Sequence, residues 1–240
     1  MALIGVLGGM GPLATVDFME KVVRLTHAAC DQEHLPLLVA SLPYIPDRSL
    51  AILDGGEDPL PAMLSGIDLL NRNEVGVIAI PCNSAHHWYA QLQARSAAPI
   101  LHIGEICVNA IQDPAQRVAI LGTSGTIAAG FYQEALAARG ITPVVPDEVA
   151  QARLDASVRA AKANDIDEAT VQLSAALAIL IAQGVRAAVM ACTEIPLAAR
   201  NLSAPPITLI DSTLELARAT VAFAMARGWN SPPQVALDCI

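Results

Sequence analysis

Two cysteines of this chain lie in similar turns, each after a short apolar run. Cys82 belongs to V-I-A-I-P-C-N-S (Val77–Ser84) and Cys192 to A-V-M-A-C-T-E (Ala188–Glu194). A thiol between a strand and a helix lies near free backbone N–H groups and the positive end of the helix dipole, which lower its pKa. Two such thiols on opposite sides of a carbon atom can remove a proton from one face and return a proton to the other. The two turns therefore predict an acid/base pair that inverts a stereocentre.

The same turns offer a place for a carboxylate. The backbone N–H groups of Asn83, Ser84, Thr193 and Glu194 can bind an anion without a cationic side chain. This matters because the chain carries a net charge of -9 at pH 7. Without a basic stripe, we expect neither nucleic acid nor a membrane surface as a partner. The apolar runs are too short to span a membrane and Met1 is not followed by a basic leader, so we expect a cytoplasmic protein.

The remaining cysteines have a different context. The chain has five cysteines and no C-x-x-C pair, which argues against a disulfide framework and a zinc site. A lone cysteine after a strand is usually a small buried hydrophobic residue. Recurrence in a repeat is what favours a catalytic role for Cys82 and Cys192. We interpret Cys30 and Cys107 as helix or core residues and Cys239 as part of a tail.

A repeat also connects two glycine turns. I-G-V-L-G-G-M-G-P (Ile4–Pro12) and V-A-I-L-G-T-S-G-T (Val118–Thr126) recur at nearly the same offset as the two cysteine turns. Ligands of open α/β sheets bind beyond the carboxyl ends of the strands. We therefore expect these four turns to converge on one cleft between two similar halves, with a hinge near Ile103–Gln116.

Short apolar runs alternate with helical patterns along the chain, which predicts parallel sheets. The predicted strands are Leu3–Gly8, Leu37–Ser41, Val75–Ile80, Ile100–Ile103, Arg117–Leu121, Thr142–Val145, Ala187–Ala191 and Ile207–Ile210. The predicted helices are Leu13–Ala29, Leu60–Arg72, Ala85–Arg95, Thr126–Arg139, Ala150–Ala161, Ile166–Gln183 and Thr213–Arg227. The fold class is α/β, with two pseudo-symmetric three-layer domains. We assign residues 1–103 plus 212–230 to the first domain, 104–211 to the second and 231–240 to a tail.

Two other motifs allow alternative interpretations. G-x-G-x-x-A (Gly9–Ala14) is a weak form of the dinucleotide fingerprint, but the second strand ends in Ser41 instead of an acidic residue, which argues against nicotinamide. His86 and His87 are adjacent, so at most one faces the cleft, either to orient substrate or thiol or as an ordinary packed histidine. Without a second ligand cluster, no metal is expected.

The motifs together resemble the aspartate/glutamate racemase superfamily, most closely its aspartate racemase branch. The matching segments are Gly8–Thr15, Pro46–Ser49, Pro81–His86, Leu121–Thr126 and Cys192–Pro196. The resemblance implies a metal-free racemase that works without pyridoxal phosphate, is usually a homodimer, and uses Cys82 and Cys192 as its catalytic pair.

The resemblance also implies how a dicarboxylic amino acid binds. The α-carboxylate and neighbouring groups would meet Asn83, Ser84, Thr126 and Thr193; Met10 would line the cleft; Arg48 and Lys162 would meet the side-chain carboxylate. Two positions depart from the family pattern. Ser84 replaces a frequent Thr, and Glu194 follows Thr193 where glutamate racemases typically carry His.

These considerations favour interconversion of L- and D-aspartate, with glutamate or a broader set of amino acids as further substrates. Two alternatives stay open. One is a relative's chemistry on the same fold, such as maleate isomerisation, hydantoin racemisation or arylmalonate decarboxylation. The other is an amino-acid-binding protein without catalysis.

Overall fold

Eight short strands and eleven α-helices alternate along the described part of the chain. The computed structural model describes residues 2–53, 55–112, 117–202 and 207–230. The strands are β1 Ile4–Gly8, β2 Leu37–Ser41, β3 Val77–Ala79, β4 Ile100–Leu101, β5 Arg117–Ile120, β6 Thr142–Val144, β7 Ala187–Met190 and β8 Thr208–Asp211. The helices are α1 Pro12–Leu25, α2 Arg48–Leu53, α3 Leu60–Arg72, α4 Tyr89–Arg95, α5 Ile103–Asn109, α6 Ser124–Ala129, α7 Phe131–Ala138, α8 Glu148–Lys162, α9 Ile166–Ala182, α10 Ile195–Ala199 and α11 Ser212–Met225.

The strands form two four-stranded sheets with the same topology. Their orders are β2-β1-β3-β4 and β6-β5-β7-β8, and every pairing is parallel. In each half, the second strand lies on one side of the first strand and the third strand lies on the other side. This change in strand order opens a crevice between the first and third strands. Those strands, β1 and β3 in one sheet and β5 and β7 in the other, are the ones followed by the glycine and cysteine turns.

Helices cover both faces of each sheet, because the strands are apolar on both sides. In β1, Ile4 and Val6 pack into one hydrophobic cluster and Leu7 into another on the opposite face. The period-2 geometry of a strand explains this alternation. The predicted α/β fold with two three-layer units is confirmed.

The last helix of each half packs on the other half. Helix α5 follows β4 of the first sheet, but Cys107 and Val108 lie in the core around β5 and α7. Helix α11 follows β8 of the second sheet, but Leu216 and Val221 lie in the core around β1 and α1. The two halves therefore exchange helices across their boundary.

An ion network adds to this connection. Buried Asp17 on α1 accepts from Arg200 at 2.5 Å and from Lys21 at 2.6 Å, and Lys21 also donates to Asp211 at 2.6 Å. Removing one partner of such a group leaves a buried charge unpaired and destabilises the fold. The network therefore holds α1 of the first half against the end of β8 in the second.

Several predicted helices have different bounds. The predicted helix Leu13–Ala29 ends at Leu25, so Cys30 lies in an exposed loop and its assignment to a helix or the core is wrong. The predicted helix Thr126–Arg139 is two helices, because Gly130 adopts φ 78° between α6 and α7. The turn at Cys82 opens with a 3-10 helix, Ser84–Trp88, before α4.

Three helices were not predicted: α2, α5 and α10. Helix α5 occupies most of the segment interpreted as a hinge, and residues 113–116 of that segment lie outside the described ranges. Cys107 is buried on α5, as expected. The predicted tail 231–240 with Cys239 also lies outside the described ranges. Among the described helices, none is long and apolar enough to cross a membrane.

Candidate active site

The four turns of the repeat meet at the carboxyl ends of the two sheets. The Gly11 N–H donates to Glu194 Oε1 at 3.2 Å, which joins the first glycine turn to the second cysteine turn. Helix α6 packs against the 3-10 helix that follows Cys82. Ser49 Oγ donates to Thr123 Oγ1 at 3.0 Å nearby. The predicted cleft therefore lies between the halves.

Glycine is required where the backbones approach most closely. A Cβ at Gly125 would lie 2.6 Å from the Cα of Ser49, and a Cβ at Gly9 would lie 2.3 Å from the backbone nitrogen of Leu42. Gly9 also adopts φ 90°, and its N–H donates to Thr15 Oγ1 at 2.8 Å. These contacts explain the glycine turn through chain packing alone.

A cavity of about 580 Å³ opens at this point. Its wall includes Asp47, Arg48 and Lys162 together with Glu194. Of the residues predicted to bind or act on substrate, only Arg48 and Lys162 belong to the wall. Cys192 is connected to the cavity through Glu194. The remaining predicted residues lie deeper in the turns.

Cys192 is buried beside a carboxylate. Its thiol donates to Glu194 Oε2 at 3.1 Å. Burial raises the pKa of the Cys192 thiol well above its usual range, and the negative charge of Glu194 adds to the effect. The Glu194 backbone N–H and the Lys162 ammonium act in the opposite direction, but they do not outweigh burial. At Cys192, burial and the carboxylate therefore exceed the pKa-lowering effect of the helix terminus.

Cys82 has a neutral polar neighbour. Its Sγ lies 3.6 Å from Ser84 Oγ, and either atom can be the donor. The Cys82 carbonyl accepts from His86 Nδ1 at 2.9 Å, while His86 Nε2 accepts from the Ile103 N–H at 3.2 Å. This pair of contacts fits a neutral ring protonated on Nδ1. Burial lowers the pKa of His86 to about 3. His86 is thus a packed histidine that fixes the turn, and His87 is exposed.

Arg48 opens α2 as a buried side chain. It donates to the carbonyls of Pro46 at 2.9 Å, Ile45 at 3.1 Å and Met10 at 3.3 Å. Its Nε is buried without a hydrogen-bond partner in the described structure. Arg48 is therefore not a solvated surface charge. Three of the five N–H donors of the guanidinium are therefore used to hold two loops together.

Lys162, at the end of α8, completes the cationic side of the cavity. Its Nζ lies 3.6 Å from Asp47 Oδ2. Burial acts to lower the pKa of Lys162, but the negative charges of Glu194 and Asp47 act in the opposite direction, and the net effect raises it. The side chain is therefore an ammonium in contact with a partly exposed acid.

Asn83 connects the two halves through its side chain. Oδ1 accepts from the Tyr132 hydroxyl at 2.6 Å, and Nδ2 donates to Ser212 Oγ at 3.1 Å. Ser212 in turn donates to the carbonyl of Met190 at 2.6 Å. The Asn83 amide is thus used for structure, so only its backbone N–H is available in the manner predicted from the sequence.

The other predicted binding residues lie at the turns. Met10 is buried, and its carbonyl accepts from Arg48. Thr126 is buried with its hydroxyl 3.1 Å from that of Thr123. Thr193 is buried and donates to Glu194 Oε2 at 3.4 Å. Ser84 is half-buried beside Cys82.

The sequence motifs do not predict two features of the site. Tyr132 and Ser212 join Asn83 only in three dimensions, since they are 49 and 129 residues away. Glu194 was visible as a departure from the family pattern, and its spacing of two residues from the thiol could have indicated the contact. Within the described ranges, no group of three or more His, Cys, Asp or Glu side chains could hold a metal ion.

Residues 7–220 match the model of the Asp/Glu/hydantoin racemase family. The chain belongs to this family. It is a racemase, and the resemblance inferred from the motifs is confirmed. Catalysis without pyridoxal phosphate fits this family.

Three relatives place this racemase within the family. It is 30% identical over 230 residues to the broad specificity amino-acid racemase RacX of Bacillus subtilis, covering 93% of this chain and 99% of that one. It is similar to the structure of Picrophilus torridus aspartate racemase, with 29% identity, a TM-score of 0.83 and coverage of 96% and 100%. The aspartate racemase homologue PH1733 of Pyrococcus horikoshii shares the fold, with 20% identity, a TM-score of 0.72 and coverage of 94% and 100%.

Proposed function

We propose that this racemase interconverts the enantiomers of an acidic amino acid, aspartate first, with Cys82 and Cys192 as its two acid/base groups. The observation that carries the proposal is the equivalent position of the two thiols. Each follows the third strand of its half, and the Gly11–Glu194 contact joins the glycine turn of the first half to the Cys192 turn at the cavity. Arg48 and Lys162 in the wall of that cavity favour a substrate with a second carboxylate.

The reaction needs only proton transfers. A thiolate on one side takes the Cα proton, and the electron pair of the C–H bond stays on the substrate as a carbanion. The thiol on the other side gives its proton to the opposite face of that carbon, and the S–H electron pair stays on sulfur. Cys82 is the base in one direction and Cys192 in the other, and exchange with water restores the starting form.

Substrate binding follows the polarity of the cleft. We expect the N–H groups of the two cysteine turns, with the hydroxyls of Ser84, Thr126 and Thr193, to bind the α-carboxylate. The Met10 carbonyl holds Arg48 in place, while Arg48 and Lys162 receive the side-chain carboxylate. Both thiols can then face the α-carbon from opposite sides.

A broader substrate range is the second candidate. Asp47 lies 3.6 Å from Lys162 and offsets one of the two cations that would receive a side-chain carboxylate. A site with less net positive charge discriminates less strongly against uncharged side chains. The similarity to a broad specificity amino-acid racemase supports this candidate.

The test is proton NMR of L-aspartate, L-glutamate and an uncharged amino acid in D₂O with purified, reduced protein and no added cofactor, followed by chiral chromatography. Loss of the Cα–H signal with appearance of the D-enantiomer supports racemisation and ranks the substrates. Maleate in a parallel sample tests the alternative isomerase. Absence of exchange with all three amino acids, in folded protein, would overturn the proposal.

The homodimer, the cytoplasmic location and the independence of any cofactor stay predictions. The domain boundaries assigned from the sequence, 1–103 plus 212–230 and 104–211, also stay a proposal.

A further inference from the structure

We propose that Glu194 is a positioning residue that holds the proton of Cys192, so that the resting enzyme presents Cys192 as the acid and Cys82 as the base. The inference rests on the proposed two-thiol function. The geometry behind it is the short contact from the Cys192 thiol to Glu194 Oε2, 3.1 Å, in a buried setting.

Glu194 is held from two sides, so its carboxylate cannot turn away freely. Oε1 accepts from the Gly11 N–H of the other half at 3.2 Å, and Oε2 receives the Cys192 thiol and, at 3.4 Å, the Thr193 hydroxyl. Glu194 is only 4% exposed, although it also lines the cavity. A fixed carboxylate beside the sulfur stabilises the thiol and disfavours a thiolate at the same place by like-charge repulsion.

Three groups face Cys192 from the elements around it. Glu194 belongs to its own turn, Lys162 to α8 and Tyr132 to α7. The Tyr132 hydroxyl is a neutral donor to Asn83. Lys162 is the cation that opposes Glu194, and Asp47 also pairs with it. The carboxylate in direct contact therefore adds to burial in favouring the thiol form of Cys192.

The equivalent position in the other half makes the asymmetry plain. Residue 84, two positions after Cys82, is a serine whose hydroxyl carries no charge and lies 3.6 Å from the sulfur. After one turnover from the resting form, Cys192 is a thiolate next to a carboxylate. The enzyme returns to its resting form when the Cys192 thiolate takes a proton from water and the Cys82 thiol releases one.

This arrangement has a particular kinetic signature. Two enantiomers have equal free energies in water, so kcat/KM must be the same in both directions. A preference for one resting form therefore changes kcat and KM of one enantiomer together. We expect wild-type enzyme to show unequal kcat values for the two enantiomers, with KM values unequal in the same ratio.

The experiment measures alkylation of each cysteine by iodoacetamide against pH, read peptide by peptide by mass spectrometry, in full-length wild type and in Glu194→Gln. Only the thiolate reacts, so the midpoint reports the protonation of each sulfur. We expect the wild-type midpoint of Cys192 to lie above that of a free thiol. In Glu194→Gln it should fall by about one to three pH units, because the like charge is gone. The kcat ratio of the enantiomers should move toward unity.

Two controls separate this role from a structural one. Glu148→Gln removes the same charge at an exposed position of α8 and should leave the Cys192 midpoint unchanged. Glu194→Asp keeps the charge on a shorter side chain and should give a smaller shift; it takes the place of Glu194→Gln if that variant does not fold. A Cys192 midpoint that does not move in a folded Glu194 variant would overturn the inference. If the midpoint moves but wild type racemises no amino acid, Glu194 holds the proton and the proposed function fails.

Discussion

The turn that carries Cys82 and the turn that carries Cys192 occupy equivalent positions in two halves of the same topology, yet their neighbours differ. Cys82 lies beside a serine hydroxyl, and a buried histidine fixes the carbonyl of the cysteine. Cys192 lies beside a carboxylate and near an ammonium. The repeat thus preserves the positions of the two sulfurs, while the side chains around them assign different charges to each position.

The largest effect should come from removing either sulfur. This change tests whether the two cysteines act as a pair on opposite faces of the α-carbon. Cys82→Ala and Cys192→Ala should each lower racemisation by about 100- to 10,000-fold, because one face of the carbon loses its proton donor or acceptor. Each variant should still exchange the Cα proton of one enantiomer with D₂O, and the two variants should favour opposite enantiomers. NMR exchange with chiral analysis measures both. Full racemisation by either variant would contradict the two-thiol mechanism.

The next effect concerns the ammonium present only on the Cys192 side. Lys162→Met should raise KM for aspartate by about tenfold, because a contact between two charged groups is lost. The same change should raise the alkylation midpoint of Cys192, since Lys162 opposes Glu194 there. Steady-state kinetics with aspartate and an uncharged amino acid, together with pH-dependent alkylation, measure both. An equal KM change for both substrates would argue against a role in binding the side-chain carboxylate.

A third effect concerns stability, where the Cys82 turn has the stronger connection to the other half. Asn83→Ala removes a partner from the buried Tyr132 hydroxyl and from Ser212, and should cost about 2–3 kcal/mol of unfolding free energy. The melting temperature should then fall by about 4–12 °C. Thr193→Ala is the matched change in the other turn and loses only a 3.4 Å contact. Equal melting temperatures for the two variants would contradict this difference.

The smallest effect should appear in mild acid and belongs to the Cys82 turn alone. The pKa of His86 is about 3 in the folded chain, below its unfolded value of about 6.5, so the unfolded state binds the proton first. Its contribution to stability is complete above pH 6.5 and is lost as pH falls toward 3, by up to about 1.4 kcal/mol per pH unit. Urea unfolding of wild type and His86→Asn at pH 7, 6 and 5 measures the difference in slope. Parallel slopes would show that His86 is not the group responsible.

The sequence predicted those parts of the fold that follow from local pattern. Strand β2 and helix α3 have the predicted bounds, because the spacing of their apolar residues and their flanking residues define them without help from tertiary contacts. The helix predicted over 126–139 breaks because Gly130 adopts a left-handed conformation, which a glycine permits but does not require. The segment that forms helix α5 was interpreted as a hinge, because a helix of seven residues is too short to show a clear helical spacing of its apolar residues.

Some features of the candidate site could likewise be predicted from local sequence, and others could not. The cysteine turns could be found because each carries its own motif, and Arg48 because it belongs to one of the segments that resemble the family. The use of the Asn83 amide between Tyr132 and Ser212 could not be found, because it depends on how three distant segments meet. The direction of the pKa shift at Cys192 could not be predicted, since burial depends on the whole core while the helix terminus is visible in the sequence.

The exchange of α5 and α11 between the halves limits how the cleft can move. Each sheet is covered on one face by a helix that belongs, along the chain, to the other half. The two halves are therefore interlocked through these two helices. The walls around the cavity can tilt, but they cannot separate without exposing both hydrophobic cores to water. We therefore expect the two halves, and with them the two cysteine turns, to keep their relative positions when a substrate enters the cavity.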